Sequence, residues 1–216
     1  FMSAGNTGAM LVGGMFTIKA IPGVLRPTIG ATMPKSDGST GILVDVGLNA
    51  DCKPEQLNQF AILGSLYASI MLGVNNPTVG LLNIGEEEGK GNALAQATYP
   101  LLQQNKQIHF IGNIEGRDIL TPKANVTVCD GFTGNIALKL AESLHTIASE
   151  RGHGEDAYFK RLHFENYGGL PVLGVAKPVI ISHGISTATA FHNSIKLATQ
   201  MLETGFCNKI AENFTA

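Results

Sequence analysis

The chain has 216 residues, 44% of them hydrophobic, a formal net charge of −2 at neutral pH and no tryptophan. That length carries a full core in one large α/β domain or two small ones. The charge balance and sparse aromatics argue against a nucleic-acid surface or a base-stacking platform. Three cysteines without a C-x-x-C pair fit a reducing cytosol, and no apolar run reaches membrane-spanning length.

Phe1 to Gly5 does not read as a signal-peptide start, and the chain is expected to open in mid-domain. Thr7 to about Ala20 reads as a helix behind a glycine-rich loop. Thr28–Met33 and Gly41–Val46 read as neighbouring strands across the turn Lys35-Ser36-Asp37-Gly38. Pro54 opens a helix on which Phe60, Leu63, Tyr67, Ile70 and Met71 recur at helical spacing, and Gly73 ends it. Strand 79–82, a helix from Asn92 to Gln104, strand 108–111 and a short helix near Arg117 follow. Strand 126–129 leads into a helix from Gly134 to Ala148, and strand 179–182 into a last helix from Ala188 to Leu202. Segment 145–166 is polar and breaks the pattern, so it is expected to be an irregular or mobile insertion in a single domain over 1–216. Alternating strand and helix implies a mostly parallel sheet covered on both faces.

Five apolar runs end in small polar clusters: Gly47 to Asp51, Asn83 to Asn92, Gly112 to Asp118, Asp130 to Asn135, and His183 to Thr187. Ser3 to Gly8 looks like a sixth. Ligands of open parallel sheets bind outside the carboxyl ends of the strands, so the repetition predicts one composite site. The nucleotide fingerprints fail, however. Gly85 to Gly91 is one residue short of a phosphate-binding loop and lacks the hydroxyl residue after Lys90, and Gly89 to Leu94 misses the dinucleotide pattern at its last position.

What remains suits a small anion and a polar substrate. Lys53, Lys90, Lys139, Arg117 and His183 supply cations, and Asn6, Asn49, Asn83, Asn113 and Asn135 supply neutral donors and acceptors. Each asparagine is equally readable as a turn former. Asp45, Asp51, Glu86, Glu87, Glu115 and Asp130 suit acid–base work or a metal, but Asp51 and Asp130 also read as helix caps. Cys52 precedes a helix, where a thiolate is favoured, yet no histidine lies near it and a small buried residue fits better. Cys129 reads as core and His109 as structural. His145, His153 and His163 show no metal-ligand spacing.

Together these segments resemble the bacterial acyl-ACP:phosphate acyltransferase (PlsX) family. The matching stretches are Ser3-Ala4-Gly5-Asn6-Thr7-Gly8-Ala9, Asp45-Val46-Gly47 with Asn49 to Pro54, Gly80 to Glu87, Gly112 to Asp118, Val128 to Asn135, Tyr167-Gly168-Gly169 and His183-Gly184, in family order. The resemblance implies a Rossmann-like α/β/α sandwich similar to isocitrate and isopropylmalate dehydrogenases. It implies transfer of a long-chain acyl group from acyl carrier protein to inorganic phosphate for phospholipid synthesis, with neither cofactor nor metal. It further implies a cytoplasmic homodimer, peripheral on the inner face of the cell membrane, feeding an acyl phosphate:glycerol-3-phosphate acyltransferase. The chain departs from the family in lacking its Asp-Ala-Met-Gly-Gly-Asp-like N-terminal portion and in a shorter 145–166 stretch. Leu48, Leu170 and Thr187 are further departures.

Read this way, His183, Lys53, Asn135 and Asp130 are the expected catalytic residues. Ser3, Gly5, Asn6, Thr7, Gly8, Asp45, Gly47, Asn49, Asn83, Gly85, Glu86, Lys90, Asn113, Glu115, Gly131, Gly134, Lys139 and Gly184 are expected around the substrate. Phosphate is already an anion and needs positioning more than deprotonation. Lys53 or Lys139 with His183 would hold it, and Asn6, Asn135 or loop N–H groups would meet the oxyanion. Lys160, Arg161 and Lys177 are candidates for contact with an acidic carrier protein. The rival readings are a phosphotransacetylase-like enzyme using short acyl-CoA, a non-catalytic anion-binding domain, and a decarboxylating dehydrogenase of the same fold.

Overall fold

The structure, a computed structural model, describes residues 1–5 and 7–215 and every side chain among them except those of Thr7, Leu11, Met15 and Thr215. In chain order the elements begin β1 (Met2–Ser3), α1 (Thr7–Thr17), β2 (Thr28–Pro34), β3 (Thr40–Val44), α2 (Pro54–Leu72) and β4 (Thr78–Asn83). They continue α3 (Ala93–Gln104), β5 (His109–Glu115), β6 (Val126–Val128), α4 (Gly131–Glu150) and α5 (Ala157–Arg161). β7 (Leu170–Leu173), β8 (Ile180–Ile181), α6 (Ala188–Glu203) and α7 (Phe206–Thr215) complete the chain.

The strands form one sheet in the order β1-β8-β7-β2-β3-β6-β4-β5. One end is parallel: β3 pairs with β6, β6 with β4, and β4 with β5. β1 and β8 are also parallel to each other. Between these two parts, β3–β2, β2–β7 and β7–β8 are antiparallel, so the strand direction reverses across the middle. The sheet is therefore mostly parallel, as expected, with an antiparallel centre that the sequence reading lacked.

Strand alternation sends side chains to two layers. Ile42, Val44, Val126, Val128 and Ile180 face α2, α6 and α7, while Ile29, Ala31, Met33, Leu43 and Ile181 face α1 and α4. The first layer turns on α2, where Phe60, Leu63 and Tyr67 are buried at helical spacing and Gly73 closes the helix at φ 70°. A side chain at Gly64 would meet Val126 at 2.6 Å, so this glycine lets α2 lie directly on β6.

Several expected boundaries move. α4 opens at Gly131 rather than Gly134, because Asp130 caps it: its Oδ1 accepts from the Thr133 N–H at 2.8 Å. It also runs on to Glu150, and α5 and a 3-10 turn at Phe164–Tyr167 occupy much of the stretch expected to be irregular. β5 extends to Glu115, so Asn113 and Glu115 belong to a strand and not to a loop. Lys53, not Asp51, is the N-cap residue of α2, and its N–H donates to Gln56 Oε1 at 2.8 Å.

Lys35 is the largest of the fully buried side chains, at 1% exposure. Its Nζ donates to the Ile119 carbonyl at 2.7 Å, and a Cβ at Gly41 would stand 2.5 Å from its Cε. Burial lowers its pKa from 10.5 to about 8, against the pull of Asp37 and Asp118. Between those values the folded chain has shed a proton that the unfolded chain keeps, so this residue's contribution to stability rises with pH across the window. Below it the buried charge is a net cost. Lys35→Met is expected to stabilise the fold by about 2 kcal/mol at pH 7, after allowing for the lost hydrogen bond. Urea denaturation should show the gap to wild type closing toward pH 10.5; a gap that stays constant contradicts the buried-charge account.

Candidate functional site

The loop after β3 is built around one carboxylate. Asp45 is fully buried. Its Oδ1 accepts from the N–H groups of Ile29, Gly47 and Leu48 at 3.4, 3.2 and 3.1 Å. Its Oδ2 accepts from Asn49 N–H and Asn49 Nδ2 at 2.8 and 2.7 Å. Burial pushes the carboxyl up, and these donors pull it back only in part. Asn49 Nδ2 also donates to the Pro27 carbonyl at 2.9 Å. Asp45 and Asn49, expected at the substrate, are thus committed to the loop itself.

Helix α4 starts hard against this loop. A side chain at Gly134 would collide with the Asp45 carbonyl oxygen, and one at Gly131 would come within 2.7 Å of the Asn49 carbonyl oxygen. Both glycines serve this close approach. It places the Asn135 side chain beside Gly47, whose φ of 123° excludes most other residues. One turn on, Lys139 Nζ lies 2.9 Å from Glu142 Oε2, and Glu142 Oε1 lies 3.5 Å from His183 Nε2. Burial raises the Glu142 carboxyl, but the hydrogen bonds and charges of His183 and Lys139 outweigh it, leaving it below the usual carboxylate range. The carboxylate therefore stays ionised and fixes the His183 ring by one nitrogen, with Nδ1 left for other partners. The ring of Phe164 packs 4.7 Å from that of His183.

Gly5, Gly47, Asn135, Lys139, Ser182, His183 and Gly184 line one polar pocket over Ile29, Leu170 and Ile181. It lies over β2, β7 and β8, where strand direction reverses, at the loops that follow the carboxyl ends of β1, β3 and β8. Ser3 sits at its margin, its Oγ accepting from Gly5 N–H at 3.1 Å. The N–H groups of Gly5 and Gly47 are taken by Ser3 and Asp45, and the polar side chains lining the pocket include Lys139, His183 and Asn135.

The other expected residues lie apart. Asn83 and Asp130 line a second pocket with Asn92 and Thr133, and Asp130 is occupied in capping α4. Asn83 clips its own loop, accepting from Ile84 N–H at 2.8 Å and donating to the Lys90 carbonyl at 3.0 Å. Lys90 is exposed and Gly85 is buried beside its stem. Asn113 Nδ2 donates to the Glu87 carbonyl at 2.8 Å. Glu86, Glu115 and Asp118 have oxygens within 4.8 Å of one another, but Lys123 bridges Glu86 and Asp118 at 2.5 and 2.9 Å, and Arg117 pairs with Glu115. Two cations already compensate that cluster. Lys53 is exposed and does not line the His183 pocket. Gly8 lies in the first turn of α1. Asn6 and the Thr7 side chain lie outside the described residues. Lys160 pairs with Glu155, and Arg161 donates to Ser39 and Thr40, so neither is an uncommitted surface charge.

Sequence reasoning missed Glu142, Ser182 and Phe164. Glu142 had a usable signal, since Lys139 and Glu142 stand three apart on one helix. Cys52, by contrast, fails as a nucleophile. Burial, then the charge of Asp45, pushes its thiol up to about 12.

A family model described as "Fatty acid synthesis protein" matches residues 1–151 and 155–209. The chain is 46% identical over 230 residues to the phosphate acyltransferase of Aquifex aeolicus (strain VF5), covering 98% of this chain and 68% of that one. It is 46% identical over 201 residues to the phosphate acyltransferase of Syntrophomonas wolfei, covering 91% and 63%. The chain thus spans about two thirds of the length of the curated relatives it matches. Among solved structures, a phosphotransacetylase from Streptococcus pyogenes superposes with a TM-score of 0.65 at 20% identity, covering 94% of this chain and 62% of the other. The EutD phosphotransacetylase from Staphylococcus aureus gives 0.60 at 22%, covering 87% and 58%. These two establish likeness of fold alone.

Two outcomes follow from the geometry. Asp45→Ala removes the acceptor of five N–H bonds, leaving the buried Ile29 and Asn49 N–H groups stranded, while removing one buried charge, and the stranded donors dominate. The expected loss is about 3 kcal/mol in chemical denaturation, and an unchanged midpoint contradicts the loop's dependence on Asp45. Cys52 in the folded protein should resist iodoacetamide at pH 8 and react only after unfolding, as mass spectrometry of the labelled peptide would show.

Proposed function

The chain belongs to the fatty acid synthesis protein family, and we propose that it transfers an acyl group from a thioester to inorganic phosphate, giving an acyl phosphate. The observation that carries this reading is the convergence of Lys139, His183 and Asn135 on one pocket in which the Gly5 and Gly47 N–H groups are already used. Such a pocket suits a compact anion held by side chains. The names of the curated relatives support the same chemistry.

In this reading phosphate sits between Lys139 and His183, and no residue need deprotonate it. A phosphate oxygen forms a bond to the thioester carbonyl carbon, and the carbonyl electrons move onto oxygen. The Asn135 amide and Lys139 meet that charge. As the carbonyl re-forms, the C–S bond breaks and its electron pair leaves on sulfur. Nδ1 of a protonated His183 can supply the proton, with Glu142 holding the ring at Nε2. No covalent enzyme intermediate is formed, in keeping with the raised Cys52 thiol. Lys139 takes the part for which Lys53 was the alternative.

The donor in this reading is a long-chain acyl group on acyl carrier protein, and the product enters phospholipid synthesis through an acyl phosphate:glycerol-3-phosphate acyltransferase. The reading includes a homodimer and peripheral contact with the inner face of the cell membrane. Phe132, Ile136, Leu140 and Ile147 form an exposed apolar stripe along α4, which favours self-association. Among the described residues no helix is long and apolar enough to cross a membrane.

The full-length protein, given phosphate with acyl-ACP or acyl-CoA, should form acyl phosphate, trapped as the hydroxamate, and should prefer acyl-ACP. His183→Ala and Lys139→Met should each lower kcat/KM roughly 100-fold, while Cys52→Ser keeps most activity. A preference for short acyl-CoA favours the phosphotransacetylase-like alternative. No acyl phosphate from either donor favours an anion-binding domain.

A further inference from the structure

Among the described residues, three spaces adjoin the polar pocket, which itself holds about 300 Å³. The hollow between β2 and α4 holds only about 30 Å³, the share of one water molecule. A groove of about 580 Å³ follows α1 beside Met10 and Gly13, but it meets the polar pocket only at Gly5 and reaches neither Lys139 nor His183. The third is a cleft of about 310 Å³ between α4 and residues 162–164. Lys139 and His183 line both this cleft and the polar pocket, so the two groups stand on the boundary between them.

Resting on the acyl-transfer reading above, the geometry points to this cleft as the seat of the donor's thiol arm, a pantetheine-type chain of amides joined by short methylene links. With phosphate between Lys139 and His183, the thioester carbonyl lies against the polar pocket. The sulfur leaves beside its acid, His183, and the arm it carries continues into a space that His183 borders and that has room for it. Of the three, the cleft alone meets both conditions. Its lining matches such an arm. Lys139, Glu142, Ser143 and Thr146 fall on one face of α4 and run roughly 10 Å along it at 1.5 Å per residue. His145 Nδ1 lies 3.1 Å from the Phe159 carbonyl, which only accepts, so in the neutral ring Nδ1 holds the proton and Nε2 is an acceptor. The Ser143 hydroxyl donates to the Leu140 carbonyl at 2.7 Å and keeps its lone pairs. With the Thr146 hydroxyl and the His163 ring, these supply donors and acceptors for amides, while Leu162, Phe164 and Ile185 cover the methylenes. Glu142 lines the cleft as well and disfavours a second anion there.

Two donors with the same acyl group isolate the arm: an acyl-pantetheine, and an S-2-methoxyethyl thioester whose thiol is a similar leaving group without amides. Given to the full-length protein with phosphate, the pantetheine ester should show a kcat/KM about tenfold above the other, the effect of one or two hydrogen bonds. Thr146→Leu and Ser143→Leu each remove a hydroxyl and fill the cleft, and each should bring that ratio toward one, whereas Thr146→Ser should keep it. A general structural defect slows both donors alike and does not move the ratio. Gly13→Leu, where an added Cβ meets no atom within 4 Å, should leave the ratio at its wild-type value. Acyl carrier protein and coenzyme A both present this arm, and whichever acyl carrier the wild type uses should also be slowed by Thr146→Leu. A wild-type ratio near one, a ratio blind to both leucine variants, or one collapsed by Gly13→Leu sinks this inference alone. If neither small donor nor acyl-ACP nor acyl-CoA yields acyl phosphate, the acyl-transfer reading fails and the inference with it.

Discussion

The polar pocket depends on the burial of a single carboxylate. Asp45 gathers five donors from the loop that follows β3 and from Ile29 on β2. A buried charge without those donors would be too costly to keep, and those donors without the charge would be stranded. The two needs hold the loop in one shape. That shape presents the Asp45 and Asn49 carbonyls to Gly134 and Gly131, which fixes where α4 begins. The start of α4 then sets the positions of Asn135, Lys139 and Glu142, four, eight and eleven residues past Gly131 along a regular helix. These three side chains are thus placed by a residue that does not itself line the pocket.

The reversal of strand direction decides what α4 meets. Because β7 runs antiparallel to both β2 and β8, the short strand β8 ends beside the start of β7 and brings Ser182 and His183 up to α4. A wholly parallel sheet would have carried its glycine-rich ends to one edge. Here they divide: the ends of β4 and β6 frame the pocket of Asn83 and Asp130, while the loops after β1, β3 and β8 frame that of His183.

This division marks the limit of what the sequence made legible. α2 was readable because its signals are local: Pro54, three buried residues at helical spacing, and Gly73. The strands with apolar runs were readable for the same reason. β7 was not, since its four residues owe their conformation to partners on both sides. Asn113 and Glu115 looked like a loop because their polarity hides the ladder to Leu81 and Asn83. α7 was missed although Phe206, Ile210 and Phe214 recur at helical spacing, so there the signal was present and went unused. Of the site, the separate residues His183, Lys139 and Asn135 were legible as polar groups at element ends. Their meeting was not, because it depends on strand direction, which short-range patterns do not encode. The glycines were legible as special and misread in purpose, since Gly131 and Gly134 make room for backbone and not for a ligand.

The ion pair between Lys139 and Glu142 gives the pocket a counter-ion of its own. On the proposed function, an arriving phosphate finds the Lys139 ammonium already engaged 2.9 Å from a carboxylate. It must therefore offer more than one negative charge's worth of attraction, or more than one contact, to displace that partner. A weakly coordinating monovalent ion such as chloride gains little by the exchange. A multidentate oxyanion reaching Lys139, His183 and Asn135 together gains on every contact. Selectivity among anions then arises from a competitor carried within the fold, one helical turn from the charge it guards.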